Sequence, residues 1–327
     1  MITVMMSRAI PLSTMTVFDM KKVLLLPAAL VLAVAACNKN DSDEVSRTVF
    51  TITPFTAIDE EGPMTKTSFV EGQEGTTFIW SEADTVGIYP SSGAQVYFAM
   101  ASGAGASSAT FDGGGWGFKT SATYYSYYPF IGDIYLDRNR IPVSFTGQMQ
   151  PTTASIGHIG PYDYMYTPGA TYDGSGALSF TYKHLCCIIR CTVTLPAGTW
   201  TKLAITAPSS AFATKGYFDL EAAAPHIVPT STSSQLQIAM DNITLTASTQ
   251  FRIFLVSAPV NLQGVEITVS ALNDQRKEYQ CKKTPSRNYE AGGIYGLSCA
   301  TWMEIPQSMG LIMEDWEDGG TIGGGAD

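Results

Sequence analysis

Residues 177–195 read ALSFTYKHLCCIIRCTVTL and form the longest β-strand pattern in the chain. Short apolar alternation of this kind is typical of a strand that buries one face. The stretch is preceded by the cluster Asp173-Gly174-Ser175-Gly176, whose residues favour turns. We therefore predict one long strand over 177–195, with a domain boundary at residues 173–176.

Similar apolar alternations recur on both sides of this stretch, separated by clusters of Gly, Pro, Ser and Asp. Many short strands at such spacing favour a sandwich or a barrel over βαβ units. No long stretch has the period of a helix. The other predicted strands span residues 48–55, 76–80, 85–89, 95–100, 123–128, 202–207, 235–239, 251–256 and 265–271.

Composition agrees with a large all-β protein. The chain has 327 residues, of which 45% are hydrophobic and 15% charged, so it is globular rather than disordered. The formal net charge of −10 argues against a nucleic-acid partner, because a phosphate backbone needs clustered Lys and Arg. We predict two tandem, mainly antiparallel β-sandwich domains over 47–175 and 176–317, followed by a Gly-rich acidic tail at 318–327.

The amino-terminal region has the pattern of a lipoprotein signal peptide. Lys21 and Lys22 precede the apolar run 23–36, which ends in small residues directly before Cys37. The run is too short to cross a bilayer comfortably but suits a signal peptide. We expect Met20 to be the true start, with 1–19 an upstream artefact, 20–36 the signal peptide, Cys37 the lipid attachment site and 37–46 an acidic tether.

The remaining cysteines predict neither a disulfide framework nor a metal site. Five are left after Cys37, and an odd number of thiols does not make a complete set of bridges. A Cys281–Cys299 bridge stays open, because spacing cannot decide it. The one cluster with ligand chemistry occupies a single predicted strand, whose two faces would divide its side chains, so we expect no metal. Its members are His184, Cys186, Cys187 and Cys191.

Catalytic motifs do not occur in the sequence. It contains no Gly-x-Ser-x-Gly elbow, no P-loop and no His-Glu-x-x-His helix. The two carboxylates of a glycosidase would come from distant strands, which the order of residues does not reveal. We expect the chain to have no cofactor and not to be an enzyme.

Several local motifs occur together and in order along the chain. They are Thr65-Lys66-Thr67-Ser68-Phe69, the segment 78–89, Ala109-Thr110-Phe111-Asp112-Gly113, Tyr124-Tyr125-Ser126-Tyr127-Tyr128-Pro129, Tyr162-Asp163-Tyr164-Met165, the segment 178–184, Gly293-Ile294-Tyr295 and Trp316-Glu317-Asp318-Gly319-Gly320. With the lipoprotein signal, this order resembles the fimbrillin (Mfa-like) family of Bacteroidetes surface lipoproteins. The resemblance extends over nearly all of the chain after Cys37.

The resemblance implies a subunit of a surface fimbria with two transthyretin-like β-sandwich domains. In such systems an arginine-specific protease removes an N-terminal strand from a lipidated precursor, and the open groove accepts a strand from the next subunit. The implied partners are other fimbrial subunits, the outer membrane through the lipid, and host or bacterial surface glycans or proteins. A shaft, an anchor and a tip role all remain open.

Arg47 is the hypothetical processing site within this scheme, because it is the only basic residue between Lys39 and Lys66. An ordinary solvated charge is the alternative. The segment behind it supplies the hypothetical exchangeable strand, with Thr48, Phe50, Ile52 and Phe55 as its packing residues. The acidic residues Asp41, Asp43 and Glu44 resemble the surface-export signal of Bacteroidetes lipoproteins, and a plain solvated linker is the alternative there.

A second hypothesis is a glycan-binding surface lipoprotein of a polysaccharide-uptake system. It would need an exposed row of coplanar aromatic rings, for which Trp116 and Trp200 are candidates. The tyrosine run at 124, 125, 127 and 128 could also stack on sugars. Strand alternation places about half of these rings inside, so we predict that the run belongs to the core.

Overall fold

The computed structural model describes residues 47–53, 55–58, 79–133, 135–174 and 176–306, and these residues are almost entirely β-structure. The all-β class is therefore confirmed. None of the helical structure in these residues is long and apolar enough to cross a membrane. The predicted signal peptide, Cys37, the tether, the 65–69 motif and the tail all lie outside the described residues.

Twenty strands and one 3₁₀ helix, Gly157–Tyr162, make up the described fold. The strands are β1 (Arg47–Ile52), β2 (Thr56–Ile58), β3 (Thr85–Pro90), β4 (Val96–Ser102), β5 (Ser108–Asp112), β6 (Thr123–Tyr128), β7 (Ile141–Ser144), β8 (Met149–Gln150), β9 (Met165–Thr171), β10 (Leu178–His184), β11 (Cys187–Leu195), β12 (Gly198–Thr206), β13 (Phe212–Phe218), β14 (Val228–Ser233), β15 (Gln235–Leu245), β16 (Thr249–Ser257), β17 (Ile267–Asn273), β18 (Glu278–Lys283), β19 (Gly293–Cys299) and β20 (Met303–Ile305).

Seven strands close into a barrel in the order β1-β10-β9-β6-β3-β4-β5. Neighbouring strands are antiparallel, except that β1 runs parallel to β10. The barrel core is rich in aromatic rings, including Phe50, Trp80 and Tyr182. Alternation explains this content, because every second side chain of a barrel strand points inward.

Two further sheets face each other as a sandwich. One has the order β16-β11-β19-β2 and the other β20-β18-β17-β12-β15-β8. Their inner faces share one apolar core, to which β11 contributes Ile189 and Val193 and β12 contributes Leu203. A third sheet, β14-β13-β7, completes the described part.

The single strand predicted over 177–195 is in fact two strands in two different sheets. β10 belongs to the barrel, and after Leu185 and Cys186 the chain continues as β11 in the sandwich. The physical reason is visible in burial: β10 alternates between buried and exposed residues, whereas β11 is buried at its first five positions. A strand covered on both faces needs a continuous apolar run.

The sheets do not separate at the predicted boundary of 173–176. β10 follows that boundary but pairs with β1 and β9 of the barrel. β7 and β8 precede it but pair with β13 and β15. The barrel and the sandwich therefore each draw strands from both predicted segments, and the two-domain division stays a proposal.

Candidate assembly site

β1 occupies a slot in the barrel between β5 and β10. Five residue pairs join it to each neighbour, antiparallel to β5 and parallel to β10. Both edges of β1 are thus paired along most of its length. Without this strand, two facing edges of the barrel would present unpaired backbone groups, which is the geometry that attracts another strand.

The inward side chains of β1 form part of the barrel core. Thr48 and Phe50 are fully buried and Ile52 is nearly so. The Phe50 ring stacks on Phe180 at 5.1 Å and meets Phe111 edge to face at 4.9 Å between centroids. A groove that lost β1 would therefore keep apolar pockets for an incoming side chain of similar shape.

The observed strand ends earlier than the exchangeable strand predicted over 48–55. β1 ends at Ile52, and Phe55 packs in a different apolar cluster from Phe50. The chain then forms β2, which pairs with β19 of the sandwich. The segment following Arg47 thus connects the barrel to the sandwich.

His184 fixes the connection between β1 and β2. Its Nε2 lies 2.7 Å from the carbonyl oxygen of Thr53, and its ring stacks on Phe55 with centroids 3.6 Å apart. Its Nδ1 lies 2.9 Å from both carboxylate oxygens of Asp163, which is fully buried. Burial raises the pKa of the Asp163 carboxyl above its ordinary value, and the neighbouring imidazole opposes this rise.

The protons of this pair can be assigned from its partners. A carbonyl only accepts hydrogen bonds, so Nε2 of His184 must carry a proton. One further proton lies between Nδ1 and the Asp163 carboxylate, and with either position of that proton the pair as a whole is neutral. A neutral hydrogen-bonded pair is the form that a buried site favours. Asp163 belongs to the motif Tyr162-Asp163-Tyr164-Met165, but the spacing of residues in the sequence does not show that it faces His184.

Arg47 is the first residue of β1, and its backbone is in register with Asp112 of β5. A single cut after Arg47 would leave β1 attached to the rest of the chain through Thr53. The next arginine is Arg138. An arginine-specific cut there would therefore make β1 the first segment of the cut chain, still paired with β5 and β10, rather than a detached strand.

The five described cysteines are all free and buried. Cys186 donates to the carbonyl of Tyr162 at 3.3 Å and Cys187 to that of Ser257 at 3.5 Å, while His184 bonds to Asp163. His184, Cys186 and Cys187, which form one cluster in the sequence, therefore bond to three separate partners. Within the described ranges, no group of three or more His, Cys, Asp or Glu side chains could hold a metal ion.

We expect these five thiols to be unreactive in the folded chain. Burial raises the pKa of Cys187 and of Cys191 to about 12, so almost no thiolate forms near pH 8. Iodoacetamide at that pH should label none of the five without denaturant and all of them in urea, as peptide mass mapping would show. Rapid labelling of folded protein at any of these positions would contradict the burial of that thiol.

The candidate glycan-stacking rings are mostly inside the protein. Trp200, Tyr124, Tyr127 and Tyr128 are buried, as predicted for the core. Trp116 is half-buried and packs edge to face on neighbouring aromatic rings. These rings form no exposed coplanar row in the described part of the chain, which counts against the glycan-binding alternative.

The described residues form an all-β fold in which β1, the first described strand, is paired on both edges. The comparison with known families agrees, because the fimbrillin-like family model matches residues 48–316. The chain belongs to the fimbrillin-like family. This is a family of structural adhesion and fimbrial subunits, so the chain is not an enzyme.

Several solved structures are similar to this chain at low sequence identity, and the first of these shares its fold. A candidate cell adhesion protein from Bacteroides ovatus matches with a TM-score of 0.51 and 13% identity, over 81% of this chain and 97% of that one. One from Bacteroides uniformis matches with 0.47 and 15%, over 69% and 91%. The tip fimbrial protein Mfa3 from Porphyromonas gingivalis matches with 0.36 and 8%, over 68% and 94%. Comparison with curated proteins gave no match.

Proposed function

We propose that this chain is a fimbrial subunit of the outer membrane and cell surface that joins neighbouring subunits by exchanging β1. Cys37 carries the lipid anchor and Arg47 is the processing site. The observation that supports the exchange is the position of β1, which is paired on both edges and buries Phe50 in the barrel.

A cut after Arg47 would have two consequences. It separates the folded chain from Cys37 and the lipid, and it makes β1 the start of a free arm. That arm can leave its own barrel and enter the barrel of a second copy, where it forms the same contacts. Because each subunit gives one arm and receives one, the contact is head-to-tail and can extend into a fibre. An uncut subunit stays tethered, as an anchor would.

Exchange of β1 should be slow, although the contacts of β1 should be nearly the same before and after it. β1 must first lose its pairing with β5 and β10 and expose Phe50, so the barrier is high. The exchanged state then recovers these interactions, and only the loss of translational and rotational freedom opposes it. The partners are therefore other fimbrial subunits, and adhesion to host or bacterial surface glycans or proteins would use the outer surface of the fibre.

A disulfide lock on β1 tests the proposal. Val49 and Thr110 are partners in the register of β1 and β5, and both side chains are partly exposed. In the double variant Val49→Cys/Thr110→Cys, oxidation should hold β1 in its own barrel. After treatment with an arginine-specific protease, we expect the oxidised form to stay monomeric and the reduced form to assemble, as size-exclusion chromatography with light scattering would show.

Two controls separate processing from exchange. Arg47→Ala should abolish the new N-terminus at Thr48 and also the assembly. Oxidised and reduced forms of the lock variant should be cut equally. Assembly of the oxidised, cut form to the same extent as the reduced form would show that joining does not use β1. Absence of cutting at Arg47 would remove the processing step from the proposal.

A further inference from the structure

The edge of β16 that faces away from β11 has no neighbouring strand in the described fold, yet its backbone groups are bonded. Residues 252, 254 and 256 direct their backbone groups to this side, since β11 is paired on the other. The edge is long and belongs to a sheet with a buried inner face. Such an edge is a template for pairing with another chain unless it is blocked.

Two glutamine side chains occupy this edge. The Val256 N–H donates to Oε1 of Gln148 at 2.8 Å, and Nε2 of Gln148 donates to the Val256 carbonyl at 2.8 Å. The Phe254 N–H donates to Oε1 of Gln150 at 3.0 Å, and Nε2 of Gln150 donates to the Arg252 carbonyl at 2.9 Å. Each amide group thus bonds the strand as a peptide unit would.

A third side chain completes the cover. Nε2 of His158 lies 2.9 Å from the carbonyl oxygen of Phe254, which can only accept, so the imidazole donates. Five outward backbone groups of β16, at residues 252, 254 and 256, therefore have side-chain partners. Gln148 and Gln150 are essentially inaccessible to solvent, so water does not compete for these bonds.

The position of the glutamines follows from β8. Met149 and Gln150 are in parallel register with Ala239 and Met240 of β15, in the opposite sheet of the sandwich. Residues two apart on a strand share a face, so Gln148 and Gln150 point the same way. Their spacing matches that of residues 254 and 256 on β16. Residues 148–150 are thus bonded through their backbone to the sheet of β15 and through their side chains to the sheet of β16.

We propose that Gln148 and Gln150 substitute for an edge strand and keep β16 closed to strand addition by a second copy of this chain. The fold then has a sealed side along β8, β15 and β16, and subunits must join elsewhere. This inference does not depend on the exchange of β1, because it concerns the uncut chain. Its failure would leave the proposed function unaffected.

The first test uses hydrogen exchange of the wild-type chain. The amides of Phe254 and Val256 should be as protected as those of Ile253 and Leu255, which face β11, although they lie on a sheet edge. Exchange of the Phe254 and Val256 amides at the rate of unpaired edge amides would overturn the proposal. This measurement needs no variant, so it decides the matter even where a variant does not fold.

The second test removes the amides while keeping side-chain length. In Gln148→Met/Gln150→Met, the backbone groups of β16 lose their partners, and exchange at Phe254 and Val256 should rise about tenfold or more. The folded variant should self-associate in light scattering at concentrations where the wild type is monomeric. Gln237→Met, at an exposed position of β15, is the matched control and should stay monomeric. A folded double variant that stays monomeric would overturn the proposal.

Discussion

Replacing Phe50 with Ala should lower the free energy of unfolding by about 3–5 kcal/mol. The Phe50 ring is fully buried and stacks on Phe180 and Tyr182 with centroids 5.1 and 5.4 Å away. It also meets Phe111 and Trp80 edge to face. The substitution removes a large apolar area and leaves a cavity that rigid rings cannot fill. Urea unfolding at neutral pH would measure the loss as a lower midpoint with an unchanged slope.

Val49 is the matched control for Phe50. It lies on the same strand, but its side chain is on the outer face and only half-buried. We expect Val49→Ala to cost less than about 1 kcal/mol. If the two substitutions had equal effects, β1 would not fill the barrel core as described, and its removal would not leave an apolar groove.

His184→Ala should cost about 3–5 kcal/mol at neutral pH, because it leaves Asp163 as a buried carboxyl group without its partner. The variant also deprives the Thr53 carbonyl of its donor and removes the ring that stacks on Phe55. The connection between β1 and β2 should therefore loosen as well. Urea unfolding and amide hydrogen exchange at Ile52, Thr53, Phe55 and Thr56 would measure the two effects separately.

Asp163→Asn is the control for this pair. The asparagine amide can donate to Nδ1 of a neutral His184, while Nε2 still donates to the Thr53 carbonyl, so each hydrogen bond has a substitute. We expect a loss of about 1–2 kcal/mol, smaller than that of His184→Ala. An equal or larger loss for Asp163→Asn would contradict the proton assignment of the pair.

The stability of the His184→Ala variant should also depend on pH. Without the imidazole, burial alone acts on Asp163 and raises its pKa above the value in the unfolded chain. A carboxyl whose pKa is raised by folding is tolerated while protonated, and stability is lost as pH rises through the folded pKa. The deficit relative to wild type should thus shrink from about pH 7 toward about pH 4. A deficit that grew on acidification would have the wrong sign.

Much of the architecture could be predicted from local patterns. Residues 123–128 form a strand with the predicted bounds, and the predicted strands at 85–89 and 235–239 correspond to β3 and β15. The break within 177–195 was missed, although the sequence contains its signal. LSFTYKH alternates, whereas CCIIRC is continuous, and that change marks the passage from a barrel strand to a strand covered on both faces.

The site could be predicted only in part. Alternation identifies Phe50 as a core residue of the first strand, but it cannot show that β5 and β10 enclose that strand, because these partners lie far away in sequence. The same limit applies to the Asp163–His184 pair and to Gln148 and Gln150, whose side chains bond β16. Long-range partners of polar side chains depend on sheet order, which local periodicity does not contain.

The processing hypothesis changes in form once β1 is located. The sequence suggested that a strand behind Arg47 is removed, but that strand remains covalently attached after a cut at Arg47. Exchange of an attached arm would achieve the same completion of the neighbouring barrel. It also predicts that assembled subunits contain their own residues 48–58, which a removed strand would not.

Isotope mixing with the lock variant tests this exchange most directly. Cut Val49→Cys/Thr110→Cys chains, half of them labelled with ¹⁵N, are assembled together under reducing conditions and then oxidised. If β1 enters the barrel of a neighbour, about half of the disulfide-linked peptides that join positions 49 and 110 should connect a labelled to an unlabelled chain. If every cross-linked peptide joins residues with the same label, β1 has stayed in its own barrel and the proposed exchange does not occur.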